Sequence, residues 1–138
     1  MAEEHVFITG ASGYVGRNLL RHFVSRGHPV TGLVRSPEAA ERVASWGARP
    51  VQGDMLTADL APLMSGADVL ILNHYGGDMV NSLTQAVQFG LKDKQVNGKN
   101  FEIVVPLFSD LMAKGAGAAA QNILGSANWL WSLEDDGT

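Results

Sequence analysis

The sequence predicts an α/β domain, a three-layer, doubly wound parallel sheet with helices on both faces. Two observations carry this expectation. Apolar runs of strand length alternate with segments of helical period, and the run at residues 69–72, Val-Leu-Ile-Leu, has no polar interruption, as a strand buried on both faces requires. At 138 residues and 14.7 kDa the chain has the size of a single domain, long enough to remove roughly 68% of its unfolded surface from water.

Residues 5–9 (His-Val-Phe-Ile-Thr) make a short β-rich run that ends at Gly10. From 13 to 25, Val15, Leu19, Leu20, Phe23 and Val24 recur at helical spacing, and Gly27 closes the helix. A second strand follows at 29–34. Ser36 caps the next helix with Pro37 at its first position; Ala40, Val43 and Ala44 turn inward until Gly47 stops it. Residues 50–52 give a brief third strand, 58–65 a short helix and 69–72 a central fourth strand. Asp78 caps a helix on which Val80, Leu83 and Val87 share a face, with Gly90 at its end. Residues 92–100 read as a polar loop, 102–105 as a fifth strand running into Pro106, and Ser109 or Asp110 as the start of a short helix. The stretch 115–120, rich in Gly and Ala, has little helical signal of its own. Residues 123–133 alternate as a sixth strand that puts Ala127, Trp129 and Trp131 on one face, and the last residues are expected to fray.

Composition excludes several functions. With no cysteine there are no disulfides, thiolate nucleophiles or cysteine metal sites. A net charge of −4 leaves no basic footprint, so neither nucleic acid nor an anionic membrane surface is an expected partner. No apolar run approaches the ~20 residues of a membrane span, and the start is acidic where a signal peptide is basic, so a soluble, cytoplasmic protein is expected. His5, His22, His28 and His74 lack ligand spacing, which argues against a metal site.

The strongest chemical signal is Thr9-Gly10-Ala11-Ser12-Gly13-Tyr14-Val15-Gly16, glycines at three-residue intervals where a strand hands over to a helix. A pyrophosphate needs this arrangement: Gly10 for the tight turn, Gly13 for close approach of the phosphates, Gly16 for close packing of helix on strand. Free amides and the positive end of the helix dipole then face the anion. Ser12, Tyr14 and Val15 belong to the same loop and are candidate contacts of a nucleotide cofactor. Glycines serving only helix–sheet packing are the plainer alternative.

Arg35 lies nineteen residues after Gly16 at the end of the second strand. A carboxylate there would hold the ribose hydroxyls of NAD, whereas a guanidinium accepts a 2′-phosphate, so the position favours NADP. Ser36 offers a hydroxyl to the same phosphate. Asp54 and Met55, after the third strand, would meet an adenine, Asp54 accepting from its amino group and Met55 packing on the ring; a solvated arginine and an ordinary Gly-Asp turn explain these residues equally well. Asn73, His74 and Tyr75 follow the fourth strand at the carboxyl edge of the sheet, where ligands of open α/β folds bind, with Asn73 supplying an amide.

Residues 5–55 resemble the start of an atypical or extended short-chain dehydrogenase/reductase, through the TGASGYVG loop, the GLVRS strand end and the VQGDM segment. The resemblance implies a Rossmann-like sheet of order 3-2-1-4-5-6, with a flavodoxin-like 2-1-3-4-5 order as the alternative, and cofactor contacts at Gly10, Gly13, Gly16, Arg35 and Asp54. That family transfers a proton through a Tyr-x-x-x-Lys pair. Neither tyrosine fits: Tyr14 is followed four residues later by Asn18, and Tyr75 by Met79.

From about Ala67 to Glu134 the runs ADVLILNHYGGDMVNSLTQAVQFGL, FEIVVPLFSD and AAAQNILGSANWLW resemble a lobe of type 1 periplasmic substrate-binding proteins of ABC transporters. Residue usage changes between the halves as well. All six arginines precede residue 50, all four lysines follow residue 90, and six of the seven asparagines lie beyond residue 70. Together these imply an engineered chimera with a junction between 54 and 67, forming one domain over 1–138. The expected function is a designed, non-catalytic module with weak NADP(H) binding at the Gly10–Gly16 loop. A module for small carboxylates and a truncated NADP-dependent reductase are the alternatives. If a lost lobe once covered Trp129 and Trp131, the apolar surface left behind would favour a homodimer.

Overall fold

In the computed structural model, residues 3–54, 60–64 and 66–126 are described, and they form a six-stranded parallel sheet with a small separate hairpin. The elements are β1 (Val6–Ile8), α1 (Tyr14–Ser25), β2 (Val30–Val34), α2 (Pro37–Ser45), β3 (Arg49–Gln52), α3 (Leu60–Leu63), β4 (Val69–Ile71), α4 (Gly77–Gln88), β5 (Gln95–Val96), β6 (Lys99–Asn100), β7 (Glu102–Val105), α5 (Asp110–Ala116) and β8 (Leu124–Gly125). The sheet runs β3-β2-β1-β4-β7-β8. With the hairpin strands β5 and β6 left out of the count, this is the expected 3-2-1-4-5-6 order; the flavodoxin-like alternative is set aside.

Alternation within the central strands explains the three layers. Phe7 of β1 sits opposite Leu70 of β4, and both point into one apolar layer with Met79 and Leu83 of α4 and Met112 of α5. Their neighbours Val6, Ile8, Val69 and Ile71 point the other way, onto Leu20 of α1 and Ala39 and Val43 of α2. Successive side chains leave a strand on opposite faces, so a strand buried on both sides is apolar throughout. Space is tight on the α1/α2 face. A Cβ at Gly32 in β2 would come within 2.7 Å of the Ala11 Cβ and 3.1 Å of Val43 Cγ1.

Helix starts follow local chemistry. Ser36 accepts the Ala39 N–H at 3.2 Å ahead of Pro37, and Ser109 accepts the Met112 N–H at 3.3 Å to open α5. The expected cap at Asp78 is corrected: Gly76, with φ +67°, precedes the first helical residue, and Asp78 falls in the first turn of α4, where its carboxylate meets the positive end of the helix dipole. The polar loop at 92–100 is corrected too. A 3-10 turn (Leu91–Asp93) leads into the antiparallel β5–β6 hairpin, whose corner residues Asn97 and Gly98 both have positive φ, the backbone a two-residue turn demands. Asn97 Nδ2 donates to Asp68 Oδ1 at 3.4 Å and Lys99 Nζ to Glu4 Oε1 at 3.5 Å, so the hairpin rests against the amino ends of β4 and β1. Of the expected sixth strand at 123–133, the described residues show β8, paired with Val104 and Val105 of β7, and 127–133 lie outside the described residues. Trp129 and Trp131 lie outside the described residues, and no helix among those residues is long and apolar enough to cross a membrane.

Candidate functional site

The chain leaves β1 for β2 on one side and returns through β4 on the other, so the loops after β1 and β4 diverge and open a crevice at the carboxyl edge of the sheet. Thr9 follows β1 and is fully buried. Its hydroxyl donates to the Ile71 carbonyl at 3.3 Å and accepts the Asn73 N–H at 2.9 Å, while Asn73 Nδ2 donates to the Gly10 carbonyl at 3.4 Å. One buried hydroxyl and one amide thereby tie the two divergent loops together.

Gly10 turns the chain with φ +61°, and a Cβ there would stand 3.0 Å from the Asn73 carbonyl oxygen. The Gly13 N–H closes the turn on the Gly10 carbonyl at 3.1 Å. A Cβ on Gly16 would overlap that carbonyl and lie 2.9 Å from the Ala11 Cα. No side chain caps the amino end of α1, whose first N–H groups have no acceptor within the helix.

A cleft of about 370 Å³ opens over this turn. Gly10, Ser12 and Gly13 form its floor; Leu33, Val34, Arg35, Gly53 and Asp54, from the ends of β2 and β3, form one wall; Asn73, His74, Asp78 and Ser82 form the other. Of the residues singled out by sequence, Gly10, Ser12, Gly13, Arg35, Asp54, Asn73 and His74 line this one space. Gly16 is buried behind the turn. Tyr14 and Val15 do not line the cleft: the Tyr14 ring is 74% exposed beneath the Arg17 guanidinium, 5.1 Å from its centroid. Ser36 caps α2 next to Arg35, and Met55 lies outside the described residues.

Charge in the cleft is mixed. Arg35 is exposed and forms no ion pair among the described residues. Beside it, Glu38 in the first turn of α2 has its carboxyl held below the usual range by its own backbone N–H and then by the Ser36 hydroxyl, with desolvation opposing and the Arg42 guanidinium adding a lesser pull downward. Burial pushes the His74 imidazole below its ordinary value and Arg35 acts in the same direction, while Asp78 and Asp54 pull it back up. The His74 Nε2 is buried with no hydrogen-bond partner among the described residues. Sequence reading missed Asp78 and Ser82 as wall residues. They are four apart on α4, which puts both on one face, and the Ser82 hydroxyl donates to the Asp78 carbonyl at 2.8 Å. That spacing was visible, but the direction the face looks is set by the packing of α4 on β4.

The NAD(P)H-binding family pattern matches residues 10–104, from the glycine turn into β7. Over 65 residues, 46% of this chain, the sequence is 51% identical to the 4-hydroxy-2-methyl-3-oxo-4-farnesyl-3,4-dihydroquinoline-1-oxide ketoreductase of Stigmatella aurantiaca, of which it covers 20%. Over 62 residues, 44% of this chain, it is 42% identical to the divinyl chlorophyllide a 8-vinyl-reductase of Oryza sativa, of which it covers 13%. The chain spans about a fifth or less of the length of these curated relatives. A short-chain dehydrogenase/reductase-family oxidoreductase from Burkholderia thailandensis superposes with a TM-score of 0.59 at 21% identity, covering 87% of this chain and 59% of that one, which establishes likeness of fold.

Two expectations are corrected by these matches. One family's pattern runs unbroken through the supposed junction at 54–67 and on to residue 104, so neither an engineered chimera nor a periplasmic lobe has support. Part of the shift in residue usage falls on one exposed excursion: Lys92, Lys94, Asn97, Lys99 and Asn100 lie on or beside the 3-10 turn and the hairpin. The expectation of a designed module without catalysis is overturned by relatives that bear the names of reductases. It rested on a missing Tyr-x-x-x-Lys pair and a missing substrate-binding part, and a chain covering about a fifth of its relatives carries too little of them for either absence to bear on the family's chemistry. From the glycine turn to the seventh strand, this chain belongs to the NAD(P)H-binding family.

Proposed function

We propose that this chain is the cofactor-holding segment of an NADP(H)-dependent reductase. The observation that carries the reading is the glycine turn with no room for a Cβ at position 16, facing Arg35 across a single cleft of about 370 Å³. The donor set fits a dinucleotide. The uncapped first turn of α1, together with the floor at Gly10, Ser12 and Gly13, offers N–H groups and an unobstructed backbone to a pyrophosphate. The Arg35 guanidinium suits a 2′-phosphate, which it can engage through two parallel N–H bonds. Ser36 serves the helix first: its oxygen is taken by the Ala39 N–H, and the Glu38 carboxylate competes for its proton, so Arg35 carries the 2′-phosphate preference. Asp54 accepts from the adenine amino group. A bound nicotinamide supplies a hydride; the residues here hold its adenosine and pyrophosphate parts and set the direction from which it emerges.

The test is a titration with NADPH and with NADH, followed by nicotinamide fluorescence or calorimetry. We expect saturable binding with NADPH preferred, and Arg35→Glu to reverse that preference. A charge-assisted hydrogen bond contributes about 1.5–3 kcal/mol, so NADPH affinity should fall by roughly 10- to 100-fold while NADH affinity is held or improved. Absence of binding to either nucleotide would refute the reading.

A further inference from the structure

Among the described residues, one buried side-chain nitrogen or oxygen is left without a hydrogen-bond partner, and it is the Nε2 of His74. Buried polar groups are nearly always satisfied, and an exception inside a ligand cleft points to a missing ligand group. The ring lines the wall of the cleft one residue after Asn73, which is itself bonded to the Gly10 carbonyl of the glycine turn. The imidazole therefore lines the same cleft as the glycine turn on which an anion would sit.

We propose that His74 couples nucleotide binding to the uptake of one proton, its neutral imidazole becoming imidazolium against the phosphates of the bound dinucleotide. The inference rests on the reading of the cleft as a dinucleotide site. The charged groups facing the ring are Asp78 on α4, Arg35 at the end of β2 and Asp54 after β3. In the free protein, burial and Arg35 disfavour the imidazolium, against the pull of the two carboxylates. An incoming pyrophosphate changes this balance, because its negative charge favours the imidazolium. The proton comes from solvent, and the imidazolium donates from both nitrogens, so the orphaned Nε2 gains a partner. No covalent bond forms or breaks other than the N–H gained by the ring.

By linkage, affinity must rise as pH falls through the imidazole's titration in the complex, and each unit by which the ligand raises its pKa appears as about tenfold in Kd. The probe is NAD+, whose pyrophosphate does not titrate between about pH 5.5 and 8, so His74 is the histidine in this range that lines the cleft. Calorimetry near pH 6.5 in two buffers of different ionisation enthalpy reads the proton count directly. For the wild type we expect net uptake of a fraction of a proton and roughly tenfold tighter binding at pH 5.5 than at pH 8. His74→Gln and His74→Asn, each checked for an unchanged melting transition, should bind without proton uptake and with a flat pH profile. Equal uptake in wild type and variants would overturn the inference and leave the nucleotide reading standing. No binding of NADPH or NAD+ by the wild type would refute both.

Discussion

At position 16 there is no space for a Cβ, because the Gly10 carbonyl already occupies it. Gly16→Ala must push α1 off the turn, and since overpacking a close contact costs about 1–3 kcal/mol, we expect a lowered melting temperature together with loss of NADPH binding. Thr9 is a second residue whose effect exceeds its size. Thr9→Val keeps the shape and removes the buried hydroxyl, which leaves the half-buried Asn73 N–H without its acceptor; a buried unsatisfied group costs about 1–3 kcal/mol, and we expect a loss towards the lower end of that range, readable as a shift in the urea midpoint. His74 acts on stability through pH. Its folded-state value lies below that of the unfolded chain, so the unfolded state binds the proton more readily. The associated stability is complete above about pH 6.5 and is lost as pH falls through the folded-state value. Urea midpoints measured from pH 8 down to pH 5 should decline for the wild type and decline less for His74→Gln.

Elements differ in how far the sequence foretells them. The starts of α2 and α5 were legible because a serine cap is chemistry within four residues, and Ser36→Ala should cost about 0.5–2 kcal/mol by the same local argument. The central strands β1 and β4 were legible because burial on two faces removes polar residues altogether. The hairpin was missed although Asn97-Gly98 stands in plain sight, because its strands are only two residues long and carry no alternation to mark them. The start of α4 was misplaced because an aspartate one residue inside a helix is stabilised much as one at the cap is, and the backbone of Gly76 decides between them. As for the cleft, the glycine turn and Arg35 could be read from spacing along the chain. Asp78 and Ser82 could not, since their place in the wall depends on how α4 docks against the sheet.

The whole molecule is held by two apolar layers that share the central strands. Loss of volume at the centre of the sheet, in β4, should therefore cost more than loss at its margin. Leu70→Ala is expected to cost about 2–5 kcal/mol, and Val51→Ala on the half-buried β3 distinctly less, the comparison being made by denaturant unfolding. The misreading of two ancestries also belongs to this scale. A contrast in residue usage along a chain reports where the exposed excursions fall as readily as it reports descent. The hairpin at 95–100 is such an excursion, and it lies at the amino ends of the strands, across the sheet from the cleft. A dye or a surface tether attached at Asn97 or Gly98 would consequently leave the opposite rim free, so that immobilised molecules present their open side to any nucleotide passing in solution.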